Sequence, residues 1–242
     1  MEELTALVQE GLERYGLSER VSPAAAGMLC RYGELLLEKN RVMNLTAITD
    51  TADVARLHML DCAALLCVPG VAWEGKRLLD VGTGAGFPGV VLKVLLPSLK
   101  VVLLDSLNKR LEWLEEVCGT LGLEGVCTLH ARAEEQGHCD GFRDGFDVVT
   151  SRAVAPLELL TELCLPFVKV GGVFLAMKAA ECDEEISRAA GGVRQLGGVL
   201  RPTWEYTIPG TEVTRRVVVI EKIGPTPKGY PRRWAKIQKA PL

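Results

Sequence analysis

The segment at residues 77–97, RLLDVGTGAGFPGVVLKVLLP, constrains this chain more than any other. It opens as an apolar run of strand type and closes that run on Asp80-Val81. It turns through Gly82, Gly84 and Gly86 and enters a helical pattern near Pro88. Glycines let the backbone turn tightly and approach a ligand with no Cβ in between. The helix start behind them offers free N–H groups to a carboxylate or phosphate. A strand, a glycine turn and a helix in this order belong to an α/β fold, where such a turn is a ligand site or a plain strand–helix connection with no ligand.

The rest of the chain extends that pattern. From Lys76 onward, strand candidates fall at 77–81, 101–104, 126–130, 146–150 and 172–177. Helical stretches lie between them at 89–96, 108–121, 156–168 and 183–197. Apolar runs such as LLDV, VVLL and DVV suit strands buried on both faces, so the alternation predicts a doubly wound, mostly parallel sheet. Two further strands, 203–208 and 216–223, have only the Pro209-Gly210 turn region between them. With no crossover helix they form a closing hairpin, which makes seven strands with at least one antiparallel. Residues 1–70 read as helices. The first, 2–15, carries Leu4, Leu7, Val8, Gly11 and Leu12 on one face at a 3.6-residue period. Ser22-Pro23 opens a second that runs to about Lys39, and a third spans about 50–67 and stops at Pro69-Gly70. The expected organisation is a helical extension (1–70), an α/β core (71–223) and a tail (224–242).

Composition excludes several classes. Hydrophobic residues make up 48% of the 242, ample for a packed core. No apolar run reaches the ~18–20 residues of a membrane span. The opening MEELTALVQEGLERYG is acidic and amphipathic, unlike a secretory signal. The eight cysteines show no C-x-x-C spacing and read as reduced thiols of a cytoplasmic protein. Neither they nor the three histidines form a metal-ligand set, so no metal is expected. With 28 Lys and Arg against 31 Asp and Glu, the net charge of −3 argues at face value against nucleic acid. The mean conceals a split. Beyond Glu221 there are six basic residues (Lys222, Lys228, Arg232, Arg233, Lys236, Lys239) and no acidic one. The other 221 residues hold 22 basic and 31 acidic side chains, a balance of −9. The chain is an acidic body with a basic tail, in which Tyr230 and Trp234 are interleaved. That mixture suits phosphate contacts and base stacking, or simply a solubilising terminus.

The glycine turn leaves two nucleoside ligands open. Gly84 to Gly89 match G-x-G-x-x-G, but a dinucleotide fingerprint begins at the strand end, here Gly82, and its third glycine would then be Phe87. An acid closing the first strand followed by G-x-G-x-G fits S-adenosylmethionine better. Asp105 ends the second strand 23 residues past Gly82, where a carboxylate accepts hydrogen bonds from a ribose diol or caps the next helix. Both ligands have that diol, so Asp105 does not separate them. The fourth strand runs into Ser151-Arg152-Ala153-Val154-Ala155-Pro156. No Asn/Asp-Pro-Pro-aromatic grip for an exocyclic amine stands there. Instead Arg152 suits a phosphate, a carboxylate, a base edge or a salt bridge to an acid of the body.

The motifs NLTAI (44–48), LLDVGTGAGFPG (78–89), LLDSLNKR (103–110), ARAEE (131–135), SRAVAPL (151–157) and TPKGYPRR (226–233) run in order through most of the chain. In this combination the sequence resembles the RsmG (GidB) family of bacterial 16S rRNA (guanine-N7) methyltransferases. The resemblance implies a class I, Rossmann-like S-adenosylmethionine-dependent methyltransferase fold with a helical N-terminal extension. It implies S-adenosyl-L-methionine as donor, S-adenosyl-L-homocysteine as product, and a guanine of the decoding-centre stem-loop in 16S rRNA of the small ribosomal subunit as acceptor. Carried over by motif, Gly82 and Phe87 contact the cofactor, Ala133 and Glu134 sit at the adenosine end, and Arg152 lies near the methionine or the incoming base. Gly84, Gly86 and Asp105 join the cofactor set by their place in the turn and at the strand end. Lys228, Tyr230, Arg232 and Arg233 are the RNA-binding candidates of the tail. The expected form is a cytoplasmic monomer.

Guanine N7 carries an in-plane lone pair and no proton, so attack on a sulfonium methyl needs no general base. Alignment alone is worth up to several kcal/mol. Arg152 and Lys178, at the ends of the fourth and fifth strands, are candidates to hold guanine O6 or a phosphate; Lys178 reads equally well as a solvated strand-end charge. The alternatives are a methyltransferase of the same fold acting on another RNA or a small molecule, a nucleotide-binding oxidoreductase, and a ribosome-assembly protein with a vestigial site.

Overall fold

The computed structural model describes residues 2–242. The chain begins with α1 (Glu2–Arg14) and α2 (Ala25–Met43). One continuous helical stretch follows: α3 (Thr51–Val54), a π turn (Ala55–Leu60), α4 (Asp61–Ala63) and a 3-10 turn (Ala64–Cys67). The α/β part runs β1 (Arg77–Val81), α5 (Gly89–Leu95), β2 (Lys100–Asp105), α6 (Asn108–Thr120), β3 (Val126–His130), α7 (Ala133–Gln136), β4 (Phe146–Arg152), α8 (Leu157–Cys164), β5 (Val168–Ala179) and α9 (Asp183–Gln195). It closes with β6 (Gly198–Leu200), β7 (Trp204–Thr207), β8 (Thr214–Lys222) and α10 (Trp234–Lys239).

The sheet order is β3-β2-β1-β4-β5-β8-β6, with β7 also on β8. Strands β1 to β5 pair in parallel and β8 runs antiparallel to β5. The predicted hairpin forms, β7 against β8. The extra segment is β6, which pairs with residues 220–222 of β8 while β7 pairs with 214–217. Since β5 occupies the other edge of β8, β6 and β7 share one edge end to end, and eight segments fill seven positions.

Side chains of a strand alternate between faces, and the sequence obeys this along every central strand. Leu78, Val101, Val148, Leu175 and Val219 enter one core, whereas Leu79, Leu104, Val149, Phe174 and Ile220 enter the other. The first core also takes Val8, Leu12, Leu29, Leu36 and Leu65, so the N-terminal helices are a layer on that face, packed with α5 and α6. The second core is covered by α8 and α9 and by Ile237 of the tail.

The basic tail is pinned to the body. Arg232 donates to Glu162, a fully buried carboxylate of α8, through Nε (2.8 Å) and Nη2 (2.6 Å), and its backbone N–H adds a third bond. Lys222 is fully buried and donates to Asp144, Thr226 and the carbonyls of Leu165 and Val168. Arg143 donates to the carbonyls of Thr226 and Tyr230, and Gln195 donates to the Tyr230 hydroxyl. The sequence assigns Arg232 and Tyr230 to RNA; here the Arg232 guanidinium neutralises Glu162 and Tyr230 lies half-buried against α9. A carboxylate as buried as Glu162 requires a charged partner close by, which the reading of the tail from charge alone does not anticipate. Lys228, Arg233, Lys236 and Lys239 remain exposed.

Candidate functional site

The strand order reverses between β1 and β4, and a cleft of about 850 Å³ opens there at the carboxyl ends of the parallel strands. That is the position where open α/β sheets bind ligands. One wall is the glycine turn. Gly82, Gly84 and Gly86 have φ of +69°, +58° and +89°, a region that disfavours side chains. The turn is fastened from several sides. The N–H groups of Gly82 and Thr83 donate to the Leu104 carbonyl, and the Gly84 N–H donates to Asp105 Oδ2 at 2.9 Å. The hydroxyl of the buried Tyr32 in α2 donates to the Ala85 carbonyl.

Asp80, the acid closing β1, is fully buried beneath the turn. It accepts from the Thr83 hydroxyl (2.7 Å), the Gly89 N–H (3.0 Å) and the Thr150 hydroxyl (3.1 Å), tying β1, the turn, α5 and β4 together. Burial pushes its carboxyl up to about 6 despite these donors. A Cβ on Gly89 would meet that carboxylate, which explains a glycine at the first residue of α5.

Asp105 lines the cleft at the end of β2. It accepts from the N–H groups of Gly84 and Leu107, and Arg110 lies 3.8 Å away. It thus braces the turn and the start of α6, and each oxygen retains a second lone pair. Ala133 and Glu134, at the start of α7, line the same end.

At the β4 end stands a cluster the sequence only half revealed. Arg152 donates through Nη1 to Asp61 Oδ2 (3.0 Å) and the Leu57 carbonyl (3.2 Å), and through Nη2 to His58 Nδ1 (3.1 Å). Its guanidinium carbon lies 4.8 Å from the Phe87 ring centre, and the His58 ring stacks on the same Phe87 ring with centroids 4.6 Å apart. Because Arg152 can only donate, His58 Nδ1 accepts, and Nε2 carries the proton toward Thr46 Oγ1 at 2.8 Å. Burial, then the Arg152 charge, lowers the His58 pKa to about 3. Asp61 Oδ1 accepts from the Tyr206 hydroxyl at 2.7 Å. Thr46 in turn is placed by Asn40, whose side chain bonds both backbone groups of Thr46. The NLTAI motif therefore forms a fixed rim at the cleft. Lys178 of β5 also lines the cleft, but its ammonium is engaged by Glu185 (2.7 Å) and the Ala155 carbonyl (2.9 Å).

The structure thus gathers Gly82, Gly84, Phe87, Asp105, Ala133, Glu134, Arg152 and Lys178 at one cleft. Gly86 supports the turn from behind, where a Cβ would strike Leu114. Lys228 and Arg233 lie outside the cleft lining. Sequence reasoning missed His58, Asp61, Tyr32 and Tyr206. His58 and Asp61 had a visible signal, two polar residues one helical turn apart in the apolar run ARLHMLDCAALLC.

The residues fit S-adenosylmethionine as cofactor. A Cβ on Gly84 would project into space where no atom lies nearer than 3.9 Å, so the turn leaves open the room a nucleoside sulfonium needs. The fold and this cleft define a class I S-adenosylmethionine-dependent methyltransferase. A SAM-dependent O-methyltransferase from Thermotoga maritima shares the fold at a TM-score of 0.52 and 16% identity, over 80% of this chain and 73% of that one. The family model described as rRNA small subunit methyltransferase G (GidB) matches residues 26–199, and this chain belongs to that family. The Ribosomal RNA small subunit methyltransferase G of Alkaliphilus oremlandii is 42% identical over 240 residues, 99% of each chain. That of Lachnoclostridium phytofermentans is 46% identical over 211 residues, 87% of each.

Proposed function

We propose that this chain transfers the methyl group of S-adenosylmethionine to N7 of one guanine in 16S rRNA, in the decoding-centre stem-loop of the small ribosomal subunit. The observation that carries the choice of atom is the chemistry of the β4 end of the cleft, which among the described residues holds no free base. His58 Nδ1 is bonded to Arg152, and the Asp61 carboxylate is held as a buried ion pair with Arg152 and bonded by Tyr206, so neither stands ready to take a proton. An exocyclic amine or a ribose hydroxyl must lose a proton on methylation. Guanine N7 has none to lose.

When bound, the cofactor supplies an electrophilic sulfonium methyl. The glycine turn from Gly82 to Gly86, with Phe87, holds the nucleoside close to the backbone. Asp105 offers its remaining lone pairs to the ribose diol, and Ala133 and Glu134 bound the adenine end. Arg152 has an Nε–H and a second Nη2 hydrogen beyond its three protein bonds. These serve the cofactor carboxylate or guanine O6. A donor to N7 itself would block the lone pair that attacks. Lys178, neutralised by Glu185, sets the far wall. S-adenosylhomocysteine leaves as the product. The protein acts as a monomer in the cytoplasm, where ribosomal subunits are.

The test is methyl transfer from labelled S-adenosylmethionine to small subunits lacking the mark. Incorporation into 16S rRNA is expected. Incorporation only into another RNA or a small molecule would select the alternative acceptor on the same fold.

A further inference from the structure

Five cationic side chains line the cleft: Arg110, Arg132, Arg152, Lys178 and Arg215. Three face an acid, Arg110 at 3.8 Å from Asp105, Arg152 at 3.0 Å from Asp61 and Lys178 at 2.7 Å from Glu185. The other two have neither an ion pair nor a side-chain hydrogen bond among the described residues. Arg132 is exposed just past β3, at the N-cap of α7. Arg215 stands on β8 opposite Ala179, the last residue of β5. Among the five cations of the cleft, these two guanidiniums are the ones left without an acid, one at each side of it.

Their places in the sheet fix their separation. From β3 to β8 the order crosses five strand steps. At ~4.8 Å per step they flank the cleft about 24 Å apart. A stacked single strand carries one phosphate per ~3.4 Å, so about seven phosphates fit between them, fewer where the strand is stretched around a splayed base. From this we propose, resting on the rRNA reading above, that Arg132 and Arg215 are the two backbone anchors of the substrate strand. They bind phosphates on either side of the target nucleotide and lay the single-stranded RNA along the carboxyl edge of the sheet. The paired cations shape the pocket, and the unpaired ones hold the polymer. Of the six basic residues of the tail, Lys222 and Arg232 are engaged internally, and the exposed Lys228, Arg233, Lys236 and Lys239 lie outside the cleft lining.

The test is the salt dependence of RNA binding. Wild type, Arg132→Gln, Arg215→Gln and the double variant are titrated with unmethylated 16S rRNA stem-loop between 50 and 200 mM salt. Lys100→Gln, exposed at the opposite edge of the sheet, is the control. Each arginine variant should flatten the slope of log K against log salt by about 0.7, a loss of roughly 2- to 3-fold in salt sensitivity over that range. The double variant should lose about 1.4. The affinity for S-adenosylmethionine, measured alone by calorimetry, stays at the wild-type value in all four variants. Slopes equal to wild type would overturn the proposal. Weakened S-adenosylmethionine binding in Arg132→Gln with an unchanged RNA slope would make Arg132 a cofactor residue and overturn it for that position. If wild type itself neither binds nor methylates the RNA, the functional reading fails, which is a separate result from normal activity with unchanged slopes.

Discussion

The bond network at Arg152 makes a quantitative demand. Asp61 is buried and its carboxylate faces both the Arg152 guanidinium and the Tyr206 hydroxyl, at 3.0 and 2.7 Å. Asp61→Leu keeps an apolar side chain of similar size in place but leaves a guanidinium with only 15% of its side chain accessible and no counter-charge. Breaking a buried pair from one side costs about 3–5 kcal/mol. Arg152 retains the Leu57 carbonyl and His58, so the low end, ~3 kcal/mol, applies. For a chain of this size that is about 6–12 °C in Tm. Removing both charges is different in kind, since a buried pair replaced by apolar groups is often neutral. The double variant Asp61→Leu/Arg152→Met should therefore be more stable than Asp61→Leu alone. Urea unfolding of the cofactor-free proteins, followed by tryptophan fluorescence, measures all three. A loss under ~1 kcal/mol in the single variant, or a double variant no more stable than Asp61→Leu, would refute the argument.

Three further outcomes follow from the same geometry. His58 titrates near 3 in the fold and near 6.5 unfolded, so the folded chain binds fewer protons between those values and stability falls as pH drops through that window, by up to ~1.4 kcal/mol per pH unit. Asp80, raised to about 6, works in the opposite direction, with stability falling as pH rises toward 6. The His58 effect is therefore read as a difference: His58→Gln, which can still accept from Arg152 and donate to Thr46, should flatten the acid limb of a stability-against-pH curve, and an unchanged limb would contradict this. Gly84→Val places a branched side chain in the open space of the turn at φ +58° and should abolish S-adenosylmethionine binding by calorimetry while circular dichroism shows a folded chain. Arg232→Met strands the buried Glu162 and should cost about 3 kcal/mol in urea unfolding; a loss of RNA affinity without loss of stability would return Arg232 to the RNA surface.

The sheet was legible because its central strands are short apolar runs, such as LLDV and VVLL, that alternate with helical stretches. What escaped lacks such a signature. β6 is three residues, Gly198-Val199-Leu200, following a glycine turn and reads as loop. The stretch 50–67 reads as one helix, and nothing in ARLHML announces a π turn. α2 runs to Met43, past the expected end near Lys39, because Asn44 rather than a glycine takes the left-handed position (φ +50°) that ends it. The glycine turn and the strand-end acid were legible because their residue types are dictated by local backbone geometry. The Arg152 cluster was legible only in Arg152 itself and in its option of a salt bridge to an acid of the body, which Asp61 takes up. Its partners His58, Asp61 and Tyr206 are brought to it from 91 to 94 residues upstream and from β7, by packing of the helical layer on the sheet. The tail shows the same limit, since composition counts the charge of Arg232 but cannot see Glu162 waiting in α8.

The most direct check of the whole account is the identity of the methylated atom. Small subunits lacking the mark are methylated by the purified protein, and their 16S rRNA is digested to nucleosides for mass spectrometry. The account predicts one 7-methylguanosine per molecule of rRNA. Methyl groups found instead on an exocyclic amine or a ribose 2′-hydroxyl would mean that the β4 end of the cleft supplies a base, and the account would be wrong.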